Sequence, residues 1–209
     1  MKRLICLVLA CSLVFCCAGT ALALSDIFTA DALLTFGEVD GSTYKNAALG
    51  YGCTLEGWSF ATAEDIAAIN GLSEILLPED VQSFLANTSI FVDMLASAEN
   101  GMSNVSIGIE RIDAVYGTSI SMDEFIDQNM ASLQDFVTQM GYSDPVLEKV
   151  TVLIDGTEHL GLALSGTFMG LPVYQKVACV PCGDYLIMIT ASCFLKDRSD
   201  EIFASFFAL

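Results

Sequence analysis

The sequence predicts an α+β fold in which helices cover a central antiparallel sheet, and three local patterns carry this prediction. Residues 105–109 alternate large apolar and small or polar side chains, which is typical of a strand with one buried face. Residues 121–124 form a capping box, and apolar residues follow it at helical spacing. Asp155-Gly156 indicates a tight hairpin. Because tight turns make consecutive strands antiparallel, amphipathic helices are expected to seal the apolar side of the sheet.

The elements before this helix are shorter. Residues 46–60 are strand-like, with Gly57-Trp58 marking a turn. Thr62 is placed to cap a short helix, and Pro78 is placed to open another helical turn or two. A strand is predicted over residues 91–97.

The C-terminal part continues the alternation. Residues 160–165 follow the Asp155-Gly156 turn, and further strands are predicted over 173–180 and 185–194. From Asp197 we expect a final helix that carries four apolar side chains on one face, namely Ile202, Phe203, Phe206 and Phe207.

The N-terminus has the order of a secretory signal peptide. Lys2 and Arg3 precede an apolar stretch over residues 4–17, and small residues then lead to a cleavage position after Ala23. The apolar stretch of about 14 residues is shorter than a membrane span, which argues against a retained anchor. A lipoprotein modified at Cys11 would leave too short a hydrophobic stretch. We therefore expect a protein that is secreted or exposed at the extracellular cell surface.

The domain organisation follows from these patterns. Residues 1–23 are the predicted signal peptide, residues 24–45 a flexible lead-in, and residues 46–209 a single α+β domain. No repeat or linker divides the last range.

The chain is strongly acidic. Its formal net charge is −18, and loss of the two basic residues of the signal peptide makes the remainder more negative still. Phosphates and anionic lipids select for Lys and Arg, so the balance argues against nucleic acid and against anionic membrane surfaces as partners. It favours either solubility outside the cell or binding of cations or basic partners. No later run is long enough to span a membrane.

Several features together resemble the PsbP-like superfamily, an α/β/α sandwich around an antiparallel sheet. They are Gly50-Tyr51, Gly57-Trp58, the helix from Ser121, the Asp155-Gly156 hairpin, the run from Tyr174-Gln175 to Gly183-Asp184-Tyr185, and Ser205-Phe206. Uncharacterised exported proteins of Gram-positive gut bacteria resemble the chain in the same places. The resemblance implies a binding or assembly role, by analogy of fold alone.

Four cysteines remain after signal cleavage: Cys53, Cys179, Cys182 and Cys193. Cys179 and Cys182 flank a predicted turn, so a local disulfide between them is one interpretation. Cross-strand pairing with Cys53 or Cys193, or free buried thiols, are the others. A zinc knuckle would need a second ligand pair, and a thioredoxin-like pair would need a helix N-terminus. We predict no metal site and no cofactor.

His159 is the only histidine and is expected on the sheet face opposite Leu160 and Leu162. Any Ser–His or Cys–His mechanism would have to use it, but no Gly-x-Ser-x-Gly motif is present. Asp123 and Asp127 fall in the first turns of the long helix, where the helix dipole favours acids.

The sequence therefore favours a non-enzymatic binding or assembly domain at the cell surface. Its partner would be a protein, a peptide or a small ligand, held on a groove or sheet face lined by Trp58, Tyr174 and Tyr185. The alternative is a hydrolytic or thiol-dependent enzyme that uses His159.

Overall fold

A computed structural model describes residues 36–72, 84, 90–111, 121–182 and 185–209. The predicted signal peptide and the predicted helical turn at Pro78 lie outside the described residues.

The larger sheet has seven antiparallel strands. They are β4 (Trp58–Phe60), β5 (Ile90–Ala98), β6 (Ser103–Arg111), β7 (Tyr142–Ile154), β8 (Thr157–Phe168), β9 (Leu171–Cys182) and β10 (Tyr185–Phe194). Their order across the sheet is β4-β5-β6-β10-β9-β8-β7. The hairpin predicted at Asp155-Gly156 joins β7 to β8, and Ile154 pairs with Thr157 across it. The antiparallel direction of the strands is thus as expected.

A second, smaller sheet has four antiparallel strands. They are β1 (Glu38–Asp40), β2 (Thr43–Asn46), β3 (Tyr51–Thr54) and β11 (Phe206–Ala208), in the order β1-β2-β3-β11. This sheet packs on one face of the larger sheet, where Tyr44 and Phe206 share a core with Ile107 and Ile189.

Three helices lie within the described part of the chain: α1 (Ala63–Ile69), α2 (Met122–Gln139) and α3 (Ser199–Phe203). Both predicted capping residues are confirmed. Thr62 and Asp65 form a reciprocal capping box at α1, and Ser121 and Glu124 form another at α2. None of these helices combines the length and the apolar character needed to cross a lipid bilayer.

The pleat of the larger sheet separates two cores. Val105, Ile107 and Ile109 point toward the smaller sheet and α3, which confirms the period-two pattern. The opposite face carries Leu162, Val177 and Met188 against α2, and α1 packs separately on Val92 and Leu95 of β5. The central strands of the larger sheet are therefore buried on both faces, whereas the edge strand β7 keeps many exposed positions.

The predicted α/β/α sandwich is wrong. The two longer helices, α1 and α2, cover one face of the larger sheet, while the other face is covered mainly by the smaller sheet together with the five-residue α3. The physical reason is that residues 43–54 and 206–208 satisfy one another's backbone groups by strand pairing, and their apolar side chains then pack against the face of the larger sheet. The molecule is dominated by strands.

The described part of the predicted lead-in over 24–45 includes β1 and almost all of β2. One boundary needs correction. The predicted terminal helix from Asp197 ends at Phe203. Phe206 and Phe207 lie instead in β11 and pair with Cys53 and Gly52, because β3 offers a free row of backbone hydrogen-bond partners there.

Candidate interaction surface

The three aromatic residues expected to line one groove do not converge. Trp58, Tyr174 and Tyr185 are each half-buried and pack against the core beneath the smaller sheet. Tyr174 pairs with Cys193, near one end of β10, whereas Tyr185 begins the strand at its other end. Residues 185 and 193 are eight steps apart along β10, which corresponds to about 26 Å at the usual strand rise. These side chains anchor the core at separate places.

His159 lies on the face opposite Leu162, as predicted, and it is half-buried toward the smaller sheet. Its ring packs edge-on to Tyr51, with 6.4 Å between the ring centroids. Nε2 is buried without a hydrogen-bond partner among the described residues. Burial lowers the pKa of His159, so the neutral imidazole is favoured.

The four cysteines described in the structure are buried and free. Cys179 and Cys182 both lie on the extended strand β9, where a separation of three residues places their side chains on opposite faces. The local disulfide is therefore not formed. Burial raises the pKa of the Cys182 thiol and raises that of Cys179 to about 12, so both stay protonated and weakly nucleophilic near neutral pH.

The acids at the start of α2 have structural partners. Lys149 of β7 forms ion pairs with Asp123 and Asp127, at 2.9 and 2.7 Å. Ser121 donates its backbone N–H to Glu124 at 2.9 Å, and this bond lowers the pKa of that carboxyl. Within the described ranges, no three His, Cys, Asp or Glu side chains form a group that could hold a metal ion.

A small cavity lies between α2 and the larger sheet. Its volume is about 10 Å³, room for about one water molecule. Its lining is apolar apart from Gln175, whose Nε2 donates to the Ser192 hydroxyl at 2.8 Å. This space does not admit an organic ligand unless α2 moves.

A distinct feature stands at one end of the larger sheet, where four large apolar side chains are exposed. Met102, Met169, Leu171 and Leu195 are 37%, 78%, 39% and 52% exposed. We call these four residues the strand-end patch. They come from three connections: the β5–β6 turn, the β8–β9 turn, and the segment that follows β10.

Backbone hydrogen bonds bring these connections together. The Phe194 N–H donates to the Met102 carbonyl, and the Leu195 N–H donates to the Pro172 carbonyl, both at 2.8 Å. Leu171 is the first residue of β9 and pairs with Phe168, directly before Met169. The strand-end patch therefore follows the ends of the adjacent strands β6, β10, β9 and β8.

Two residues of the patch have an unusual backbone. Met169 has φ 51° and Leu195 has φ 69°, in the left-handed region that large side chains rarely adopt. Such a conformation costs about 1–2 kcal/mol for an L-residue, a cost that Gly avoids and Asn reduces. Both positions thus keep a large, exposed, apolar side chain where the local backbone favours a different residue.

Charged residues flank the patch. Glu99 lies in the β5–β6 turn, Asp144 lies in β7 beside the end of β8, and Asp197 follows Leu195 by two residues. All three are exposed, and Lys196 is the exposed cation between Leu195 and Asp197. The immediate surroundings carry more negative than positive charge.

The sequence prediction missed this surface. The strand predicted over 185–194 gave no sign that Leu195 stays exposed, because that residue continues an apolar run. Positive φ at Leu195 and Met169 is visible only in three dimensions. No family model and no curated protein matches this chain.

Proposed function

We propose that this chain is an exported, non-enzymatic binding domain that engages a protein partner through the strand-end patch. The observation that carries the proposal is the pair Met169 and Leu195, two large apolar side chains that are exposed on strained backbone. Contiguous exposed apolar surface on a small domain marks interaction sites. Backbone strain also concentrates at functional sites, where the surrounding structure maintains it.

The anatomy of the patch supports a protein partner over a small ligand. A small ligand needs a concave site that buries most of its surface, and the cavity found in the described part of the chain lies elsewhere, between α2 and the larger sheet. Protein interfaces commonly have an apolar centre and a polar rim, and methionine is enriched in them. Met102 and Met169 adapt their shape to a partner more readily than branched residues do.

The enzyme alternative gains no support from His159. Its pKa is lowered by burial alone, and its ring contact is with Tyr51. Burial keeps the thiol of Cys182 protonated, whereas a catalytic thiol needs a lowered pKa.

Site-specific photo-crosslinking in cells that produce the protein tests this proposal. A photoreactive residue at Met169 should yield a discrete crosslinked protein. The matched control is Leu153, which is 58% exposed on β7 and lies beside the turn at the opposite end of β8. Identical crosslinks at both positions, or none at Met169, would contradict the proposal.

Export forms part of the same proposal. The intact mass of the protein recovered outside the cells should correspond to a chain that begins after Ala23. A chain that retains residues 1–23, or one that carries lipid at Cys11, would contradict it.

A further inference from the structure

We infer that the partner of the strand-end patch is a cationic polypeptide surface, one with apolar side chains surrounded by Lys or Arg. This inference rests on the proposed function and adds the chemistry of the partner. It combines the exposed apolar residues of the patch with the acidic residues that flank them, Glu99, Asp144 and Asp197. Lys196 and Arg198 are the opposing charges in this segment, and Arg198 forms an ion pair with Glu201.

The electrostatic field of the whole molecule also favours a cationic partner. Acidic residues outnumber Lys and Arg by 26 to 8 in the whole chain. Three of the cations are engaged by acids of the same molecule: Lys149 by Asp123 and Asp127, Lys176 by Asp200, and Arg198 by Glu201. A partner that approaches the patch therefore meets a negative potential, which accelerates docking of cationic surfaces and disfavours anionic ones.

The apolar residues of the patch and the acidic residues around it have separate effects on binding. The apolar side chains of the patch lose contact with water on binding, which supplies affinity without regard to charge. The acids remain at the rim, where they select the partner and raise the association rate. Rim charges are screened within about 10 Å at 0.1 M salt, so the selection weakens as salt increases while the apolar contribution remains.

Binding of a defined probe tests the inference. The exported form of the chain is titrated with a synthetic amphipathic helix of Leu and Lys, and in parallel with a matched helix of Leu and Glu. We expect the Leu/Lys peptide to bind about tenfold more tightly or better, with the difference shrinking between about 50 and 200 mM salt. Equal affinity for the two peptides would overturn the inference.

A second experiment separates the rim from the general acidity of the chain. The pair Glu99→Gln and Asp144→Asn removes two rim charges, and Asn tolerates the left-handed backbone at Asp144, where φ is 51°. The control pair Glu148→Gln and Glu158→Gln removes two exposed charges from β7 and β8. We expect only the rim pair to weaken Leu/Lys binding, by about threefold to tenfold. Equal effects of both pairs would show non-specific attraction and overturn the inference.

The variant Leu195→Asn tests whether the strand-end patch itself binds the Leu/Lys peptide. Asn suits φ 69° better than Leu, so the variant should fold at least as stably as the parent chain while losing Leu/Lys peptide binding by about tenfold. The Leu195→Asn variant is also tested for the cellular crosslink, with the photoreactive residue at Met169. If it loses this crosslink but keeps its affinity for the Leu/Lys peptide, the inference fails and the proposed function stands. If the Met169 crosslink itself is absent, the proposed function fails.

The same protein variants also test for two other occupants of the strand-end patch. Concentration-dependent dimerisation abolished by Leu195→Asn would identify a second copy as the occupant. Leu195-dependent binding to zwitterionic or anionic vesicles would identify a membrane. Either result would overturn the cationic partner.

Discussion

The Tyr44 hydroxyl donates a hydrogen bond to the Asp93 carboxylate and thereby connects the smaller sheet to the larger one. Asp93 is buried in β5, at the bulge between Val92 and Met94, and accepts two further bonds, from Gly37 N–H at 2.8 Å and from Asn46 Nδ2 at 2.9 Å. Burial raises the pKa of Asp93, and these hydrogen bonds act against that rise. The carboxylate is a polar link inside an otherwise apolar interface.

Removal of this hydroxyl should destabilise the fold in a pH-dependent way. Tyr44→Phe is expected to lower the unfolding free energy by about 1.5–3 kcal/mol at pH 7, the usual contribution of a hydrogen bond to a charged group. The loss should be smaller near pH 4. The pKa of Asp93 is raised in the folded protein, so this carboxyl contributes stability at low pH that is lost as the pH rises through its folded pKa. Tyr44→Phe removes a hydrogen bond to the ionised carboxyl and raises that pKa further. The variant and the parent chain therefore differ least in stability at low pH. Denaturant unfolding at both pH values measures the difference. Tyr51→Phe is the control, and an equal loss for the two variants would contradict this role.

Gly161 stands where strands β8 and β9 approach closely. A Cβ atom there would overlap the Val177 carbonyl oxygen, which belongs to backbone and cannot turn aside. Gly161→Ala should therefore cost about 1–3 kcal/mol of unfolding free energy. Gly108→Ala is the matched strand control, because its nearest neighbour would be Met188 Cε at an ordinary 3.8 Å. Thermal unfolding of both variants checks this, and equal melting temperatures would refute it.

The buried thiols should be unreactive in the folded protein. Burial raises the pKa of Cys53 and Cys179 to about 12, so little thiolate exists at pH 8. For the chain that begins after Ala23, we expect negligible labelling by a maleimide under native conditions, and labelling of its four cysteines, including Cys182 and Cys193, after unfolding. Intact mass before and after reduction gives the complementary test. A mass gain on reduction would reveal a disulfide and contradict the free thiols.

His159 should contribute to acid sensitivity. Burial lowers its folded pKa, so protonation favours the unfolded chain, and stability should decrease as pH falls below about 6.5. His159→Gln should lose less stability than the parent chain between pH 7.5 and 5.5 in urea unfolding. NMR titration of the single imidazole should give a pKa below that of a free histidine. An unshifted pKa would rule out this contribution.

The sequence alone was sufficient where structure depends on neighbours along the chain. The cap at Thr62, the capping box at Ser121, the alternation at 105–109 and the hairpin at Asp155-Gly156 all involve residues a few positions apart. A cap bonds the first turn of its own helix, and a tight turn fixes the register of its own strands, so both can be identified without knowledge of the fold.

Pairing between segments that are distant in the sequence decided the remaining features of the fold. Phe206 and Phe207 fit an apolar helical face in the sequence, but the unpaired edge of β3 draws them into a strand beside Cys53. The same kind of long-range contact placed a sheet where a helix was expected and left Leu195 exposed on left-handed backbone. The sequence determined the local elements and their apolar periodicity, whereas only the tertiary structure decided what covers each face. The physical reason is that hydrogen bonding and burial between distant segments leave no periodic signal in either segment alone.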